Sequence, residues 1–193
     1  MRTLLAITGA SGSIYGLRLL EELLKAGHNV TLVSSESGLE VCRHETGVAL
    51  GDAKSLKQRW GLPEASLTIR TVTDLWAPEA SGSAAPDAMV IAPCSMGTIG
   101  RIAAGISGNL IERAADVMLK ERRPLLLLPR ETPFSTIHLE NLLKLSQYGA
   151  RIIPAMPGFY HIPRSMDDLI DFVVGKLLDQ LGVEHNLFRR WGA

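Results

Sequence analysis

The sequence predicts an α/β fold, an open, mostly parallel sheet with helices on both faces in a flavodoxin- or Rossmann-like three-layer sandwich. Three observations carry this. Short unbroken apolar runs such as 4–7, 88–92 and 125–128 have the pattern of strands covered on both faces. Segments with apolar residues every three or four positions separate them, as in amphipathic helices. Strand and helix alternate along the whole chain, which selects a doubly wound parallel sheet. Strands are expected at 3–8, 29–34, 67–72, 87–92, 124–129 and 150–153.

Taken in order, the first strand runs into T-G-A-S-G-S-I-Y-G at 8–16 and then a helix to about Ala26, with Gly27 as its terminator. Gly9 and Gly12 permit a tight turn and close approach of a ligand to the backbone. Free amides at the head of the helix favour an anion, and a phosphate is the expected guest. A ligand-free β–α turn accounts for the same glycines. Residues 36–46 and 53–60 read as helices. Ser34, at the second strand's end, is either a ligand hydrogen-bonder or the cap of the helix that follows. Trp76 and the small-residue loop 80–83 read as a mobile lid, a subunit contact or a plain linker.

The strand at 88–92 ends in P-C-S-M-G-T (93–98), a second turn of small and hydroxyl-bearing residues at the same sheet edge, with a helix starting near Ile99. Between two such turns a planar ligand fits. Cys94 has no acid or histidine placed to activate it and reads as buried filler. Residues 109–134 form the densest block: a helix, a turn at Pro124, a strand, then Arg130 and Glu131 at its carboxyl end, where open parallel sheets bind ligands. Arg113, Lys120, Arg122, Arg123 and Arg130 put a cationic surplus there; a solvated helix face is the plainer reading. A helix from His138 to Tyr148, closed by Gly149, and a last helix capped at Ser165–Asp168 and running to about Leu181 complete the fold. The tail, about 183–193, is apolar and basic and is expected to dock on a neighbouring subunit.

Composition excludes several classes. The 193 residues fit one domain, and 46% hydrophobic with 21% charged is ordinary soluble composition. A net charge of +0 leaves no general basic footprint, so nucleic-acid binding is not expected. Two cysteines indicate neither a disulfide scaffold nor a zinc site, and a reduced, cytoplasmic setting follows. No apolar run approaches the roughly 20 residues of a membrane span. A nicotinamide dehydrogenase is disfavoured: G-x-G-x-x-G is absent, the second strand ends in Ser34–Ser35 rather than an acid, and no tyrosine has a lysine four residues on. A mononucleotide with one phosphate fits better.

The motifs at 8–16, 80–83, 93–98, 109–134, 138–141 (H-L-E-N) and 157–160 (P-G-F-Y) together resemble the flavin prenyltransferases, the UbiX/Pad1 family. The resemblance runs from about residue 3 to the tail and is weak over 47–67. It implies a metal-independent enzyme that alkylates reduced FMN at N5 and C6 with dimethylallyl monophosphate. The prenylated FMN serves a UbiD-type decarboxylase, and the subunits assemble as a dodecamer. By the same resemblance, Gly9, Ala10 and Ser11 form the first FMN loop, Ser34 a further contact, and Ser95, Met96, Gly97 and Thr98 the second turn. Arg113 and Arg130 lie at the flavin and substrate phosphate, and Lys120, Tyr160 and Lys176 at the substrate phosphate. Glu131, Glu45, Ser11 and Lys120 are the implied catalytic set. Lys176 stands where the family commonly has arginine, so its grip lacks the planar fork. Two other readings remain: a flavin-dependent cysteine decarboxylase of related fold, whose histidine in the first-helix region is missing here, and a non-catalytic FMN carrier.

Overall fold

A computed structural model describes residues 1–192. Six strands form one parallel sheet: β1 (Arg2–Ile7), β2 (Asn29–Ser34), β3 (Leu67–Arg70), β4 (Ala88–Cys94), β5 (Leu125–Pro129) and β6 (Arg151–Ile152). Their order is β3-β2-β1-β4-β5-β6, the doubly wound Rossmann order with its switch point between β1 and β4. Seven α-helices connect them: α1 (Ser13–Lys25), α2 (Glu36–Thr46), α3 (Ala53–Arg59), α4 (Met96–Ala103), α5 (Leu110–Lys120), α6 (Thr136–Gln147) and α7 (Met166–Leu181).

Side chains alternate across the sheet and divide the core in two. Leu5 and Ile7 of β1 pack with Leu20 and Leu23 of α1 and Val173, Val174 and Leu177 of α7. Leu4 and Ala6 face the other way, with Ile99 of α4, Ala114, Val117 and Met118 of α5 and Leu145 of α6. All seven residues of β4 are buried, as its apolar run predicts. At the switch point the layers touch closely: a methyl group on Gly16 would run into the Ala92 carbonyl oxygen.

Local signals explain the boundaries. Gly27 has φ +74°, with its N–H on Leu24 O and the His28 N–H on Leu23 O, a Schellman closure of α1. Ser165 and Asp168 form the expected capping box of α7. Three expectations shift. α4 starts at Met96 rather than near Ile99, because Ser95 caps it. α6 starts at Thr136, with Ser135 as cap and His138 completing the box. The cap of α2 is Ser35, so Ser34 is left for another role.

Much of the tail folds on its own chain. Phe188 packs 5.1 Å from the Phe172 ring, and Asp179 holds His185 at 3.1 Å and Arg190 at 2.7 Å. Trp191 remains largely exposed and is the part open to a neighbour.

Candidate active site

The carboxyl ends of β1, β2, β4 and β5 bring together Gly9–Ser11, Ser34, Ser95–Thr98, Arg130 and Glu131 at one edge of the sheet. Thr8 ties the two small-residue turns. Its hydroxyl donates to Pro93 O at 2.9 Å and accepts the Ser95 N–H at 2.8 Å. The reading of motifs passed over Thr8; a hydroxyl on the last residue before a glycine turn is the signal that marks it. Arg130 reaches across from β5, with Nε on the Ser11 carbonyl oxygen at 3.1 Å. Gly9, Ser11, Glu45 and Arg130 line one groove of about 410 Å³. Ser11 and Glu45 also border a larger hollow of about 540 Å³, walled by Leu17, Trp60, Met166 and Ile170.

Glu45, reaching over from the end of α2, accepts the Gly12 N–H at 3.0 Å and the Ser13 N–H at 2.9 Å. The chain's own carboxylate thus supplies an anion at the head of α1. Partial burial works to raise the Glu45 pKa, but hydrogen bonds from the Ser11 hydroxyl and the Ser13 and Gly12 amides outweigh it and hold the carboxyl below its ordinary value. Cys94 is fully buried, which pushes its thiol pKa far up and leaves it inert, as expected.

The proposed phosphate ligands do not join this group within one chain. Lys120 ends α5, pairs with Glu121 at 2.5 Å and lies beside Gly82, at the amino edge of the sheet. β5 alone sets the two edges about 17 Å apart. Arg113, higher on α5, is spent on Ala80 O at 3.0 Å and Asp116 at 2.9 Å. Tyr160 packs edge-on against Phe172 and Trp191, and Lys176 lies over the Phe172 and Phe188 rings, so these two share an aromatic cluster on α7. The cationic stretch 113–130 is thus divided between opposite edges.

A flavin fits the residues present. The Ser34 hydroxyl is buried at the carboxyl edge with no partner among the described residues. Leaving it so costs about 1–3 kcal/mol, a cost that an acceptor on a ligand removes. The two turns flanking the β1/β4 switch point present small residues and α4's first amides, as a mononucleotide requires. Among the described residues, no group of three or more His, Cys, Asp or Glu could hold a metal ion, and no helix is long and apolar enough to cross a membrane.

Sheet order, switch-point turns and the orphan hydroxyl define a mononucleotide-binding protein of the flavoprotein class, and the Flavoprotein family model matches residues 1–178. The flavin prenyltransferase UbiX of Halalkalibacterium halodurans is 55% identical over 187 residues, covering 96% of this chain and 91% of that protein. The UbiX of Pseudomonas aeruginosa is 52% identical, covering 99% and 94%. Crystalline AnUbiX (PadA1), in complex with FMN and dimethylallyl pyrophosphate, superposes with a TM-score of 0.91 at 38% identity, covering 100% of this chain and 97% of that one. The chain belongs to the flavin prenyltransferase UbiX family. A PPC decarboxylase superposes with a TM-score of 0.66 at 21% identity, a likeness of fold alone.

Proposed function

We propose that this protein joins the dimethylallyl group of dimethylallyl monophosphate to N5 and C6 of reduced FMN, and that the product serves a UbiD-type decarboxylase. The observation that carries the reading is the meeting of both small-residue turns at the switch point with Arg130 pinned across them on Ser11. Likeness to AnUbiX, crystallised with FMN and dimethylallyl pyrophosphate, supports the choice of flavin and of an allylic phosphate.

Reduced FMN, when bound, supplies the electron-rich positions that take the allyl group. Gly9–Ser11 and Ser95–Thr98 flank it, and Ser34 gives its hydroxyl. The allylic C–O bond breaks with its electron pair on the phosphate. Lys120, Arg113, Arg130, Lys176 and the Tyr160 hydroxyl neutralise that charge as it develops, which is where fixed cations lower a barrier most. Glu131, whose Oε1 accepts the Thr132 N–H at 3.1 Å, takes the proton released at C6. Ser11, whose hydroxyl donates to the ionised Glu45 carboxylate, and Glu45 complete the proposed catalytic set.

Because Lys120 lies at the sheet edge opposite Glu131, the phosphate end of the site is built from neighbouring copies. A solved neighbour, the FMN-dependent UbiX-like decarboxylase of Escherichia coli O157:H7, is dodecameric, with TM-score 0.90 at 40% identity over all of both chains. The same assembly is proposed here. The test is mass spectrometry of the flavin after anaerobic incubation with reduced FMN and dimethylallyl monophosphate. A flavin heavier by one dimethylallyl unit is expected; unmodified FMN alone rejects the reading.

A further inference from the structure

We infer that Glu112 and Arg101 are positioning residues for the flavin, an ion pair built on a buried acid that sets the Ser95–Thr98 turn. The inference rests on the flavin reading above. Glu112, in the first turn of α5, is 2% exposed. A carboxylate is rarely buried so fully unless every oxygen is answered. Here Oε1 receives Arg101 Nε and Oε2 receives the Gly108 N–H at 2.9 Å.

Arg101, in the last turn of α4, carries the restraint onward. Its Nη2 lies 3.4 Å from Thr98 Oγ1. Its Nη1 lies against Gly97, where a methyl group on that glycine would meet it at 3.4 Å. Thr98 Oγ1 shares a hydrogen bond with Ser95 Oγ at 3.0 Å, and the Ser95 N–H bonds Thr8 Oγ1 at 2.8 Å. An unbroken run of polar contacts therefore joins a buried acid on α5 to both turns at the switch point. Only a planar fork grips Glu112 through Nε while its other end bears on Gly97 and Thr98; lysine offers one point charge. A purely structural pair would close the 104–109 connection through Gly108 and leave the turn indifferent.

Full-length wild type, Glu112→Gln, Arg101→Lys, Thr98→Val and the double variant Glu112→Gln/Thr98→Val are titrated with FMN by quenching of flavin fluorescence, with thermal unfolding in parallel. Each single change is expected to weaken FMN binding about tenfold. The double variant is expected to bind no more weakly than Thr98→Val, since both changes cut one network. At saturating FMN the KM of Glu112→Gln and Arg101→Lys for dimethylallyl monophosphate stays put. Arg101 is half exposed, so Arg101→Lys carries the test if Glu112→Gln does not fold. Unchanged FMN affinity with lowered thermal stability overturns the inference, as do losses that multiply in the double variant. A wild type that binds no FMN overturns the flavin reading itself.

Discussion

The two edges of the sheet carry cations in different company. At the carboxyl edge, Arg130 is held by one backbone carbonyl beside small-residue turns, a buried hydroxyl and Glu131. At the amino edge, Arg123 is taken up by Ala85 O and Pro86 O, both at 2.8 Å, and Arg2 by Asp87. Lys120, on the same edge, is paired, among the described residues, only with its chain neighbour Glu121. Its partner Glu121 is exposed, and such a pair contributes little and yields easily to a stronger anion. One chain thus offers a flavin seat at one end and a loosely held lysine at the other. The proposed reading joins the two ends by using more than one copy.

The sharpest way to break this comparison is complementation. Lys120→Ala removes a charge proposed to meet the leaving phosphate, and product formation is expected to fall about 10²–10³-fold. Glu131→Gln removes the proposed proton acceptor and is expected to cost about 10²-fold or more with FMN still bound. Co-expressed and co-purified as mixed oligomers, the two variants should recover a clear fraction of wild-type prenylation, because some sites then pair an intact Glu131 with an intact Lys120. No recovery in verified mixed oligomers places both residues in one chain's site and ends the two-edge account. A Glu131→Gln protein that loses its flavin makes the acid structural.

A smaller effect sharpens the carboxyl edge alone. Ser34→Ala deletes a buried hydroxyl with no internal partner. The apoprotein should unfold at the same temperature or slightly higher, while FMN binding weakens several-fold, about the worth of one hydrogen bond. Apoprotein destabilisation with unchanged FMN affinity would show that the hydroxyl serves the fold.

Most of the fold was legible because its signals are local. Apolar runs named the central strands and alternation named β3, with Gly27 marking the end of α1 and Ser165 with Asp168 the start of α7. The two turns were legible as well, since small residues directly after an apolar run already imply a strand-to-helix corner. Adjacency in sequence did not carry over into one cluster within a chain. Lys120 and Arg130 are ten residues apart in a single conspicuous block, but α5 runs down the sheet and β5 runs back up, so the reversal at Pro124 sends them to opposite edges. The Glu45 contact was hidden for a related reason: it spans 33 positions, and no short motif encodes which acid will reach a helix head from the next helix. Thr8 and the Arg101–Glu112 pair act by bridging elements, which periodicity does not register.

Glu45 gives the mildest test and separates an internal anion from a bound one. Its carboxyl pKa is held below the ordinary 4.5 in the folded chain. A lowered folded pKa contributes stability that is present above the unfolded value and disappears as pH falls through the folded one. Wild type should therefore exceed Glu45→Gln in stability at neutral pH by no more than about 1 kcal/mol, the scale of a surface carboxylate at a helix head. The gap should close as pH drops below the ordinary carboxyl range, read from denaturant midpoints at several pH values. If instead a phosphate takes over the Gly12 and Ser13 amides, added inorganic phosphate should stabilise Glu45→Gln more than wild type, because the substitution leaves that helix head without its resident charge. Equal response of both proteins to phosphate would mean that the head of α1 holds no exchangeable anion and that the carboxyl edge recognises its ligand through the other turn.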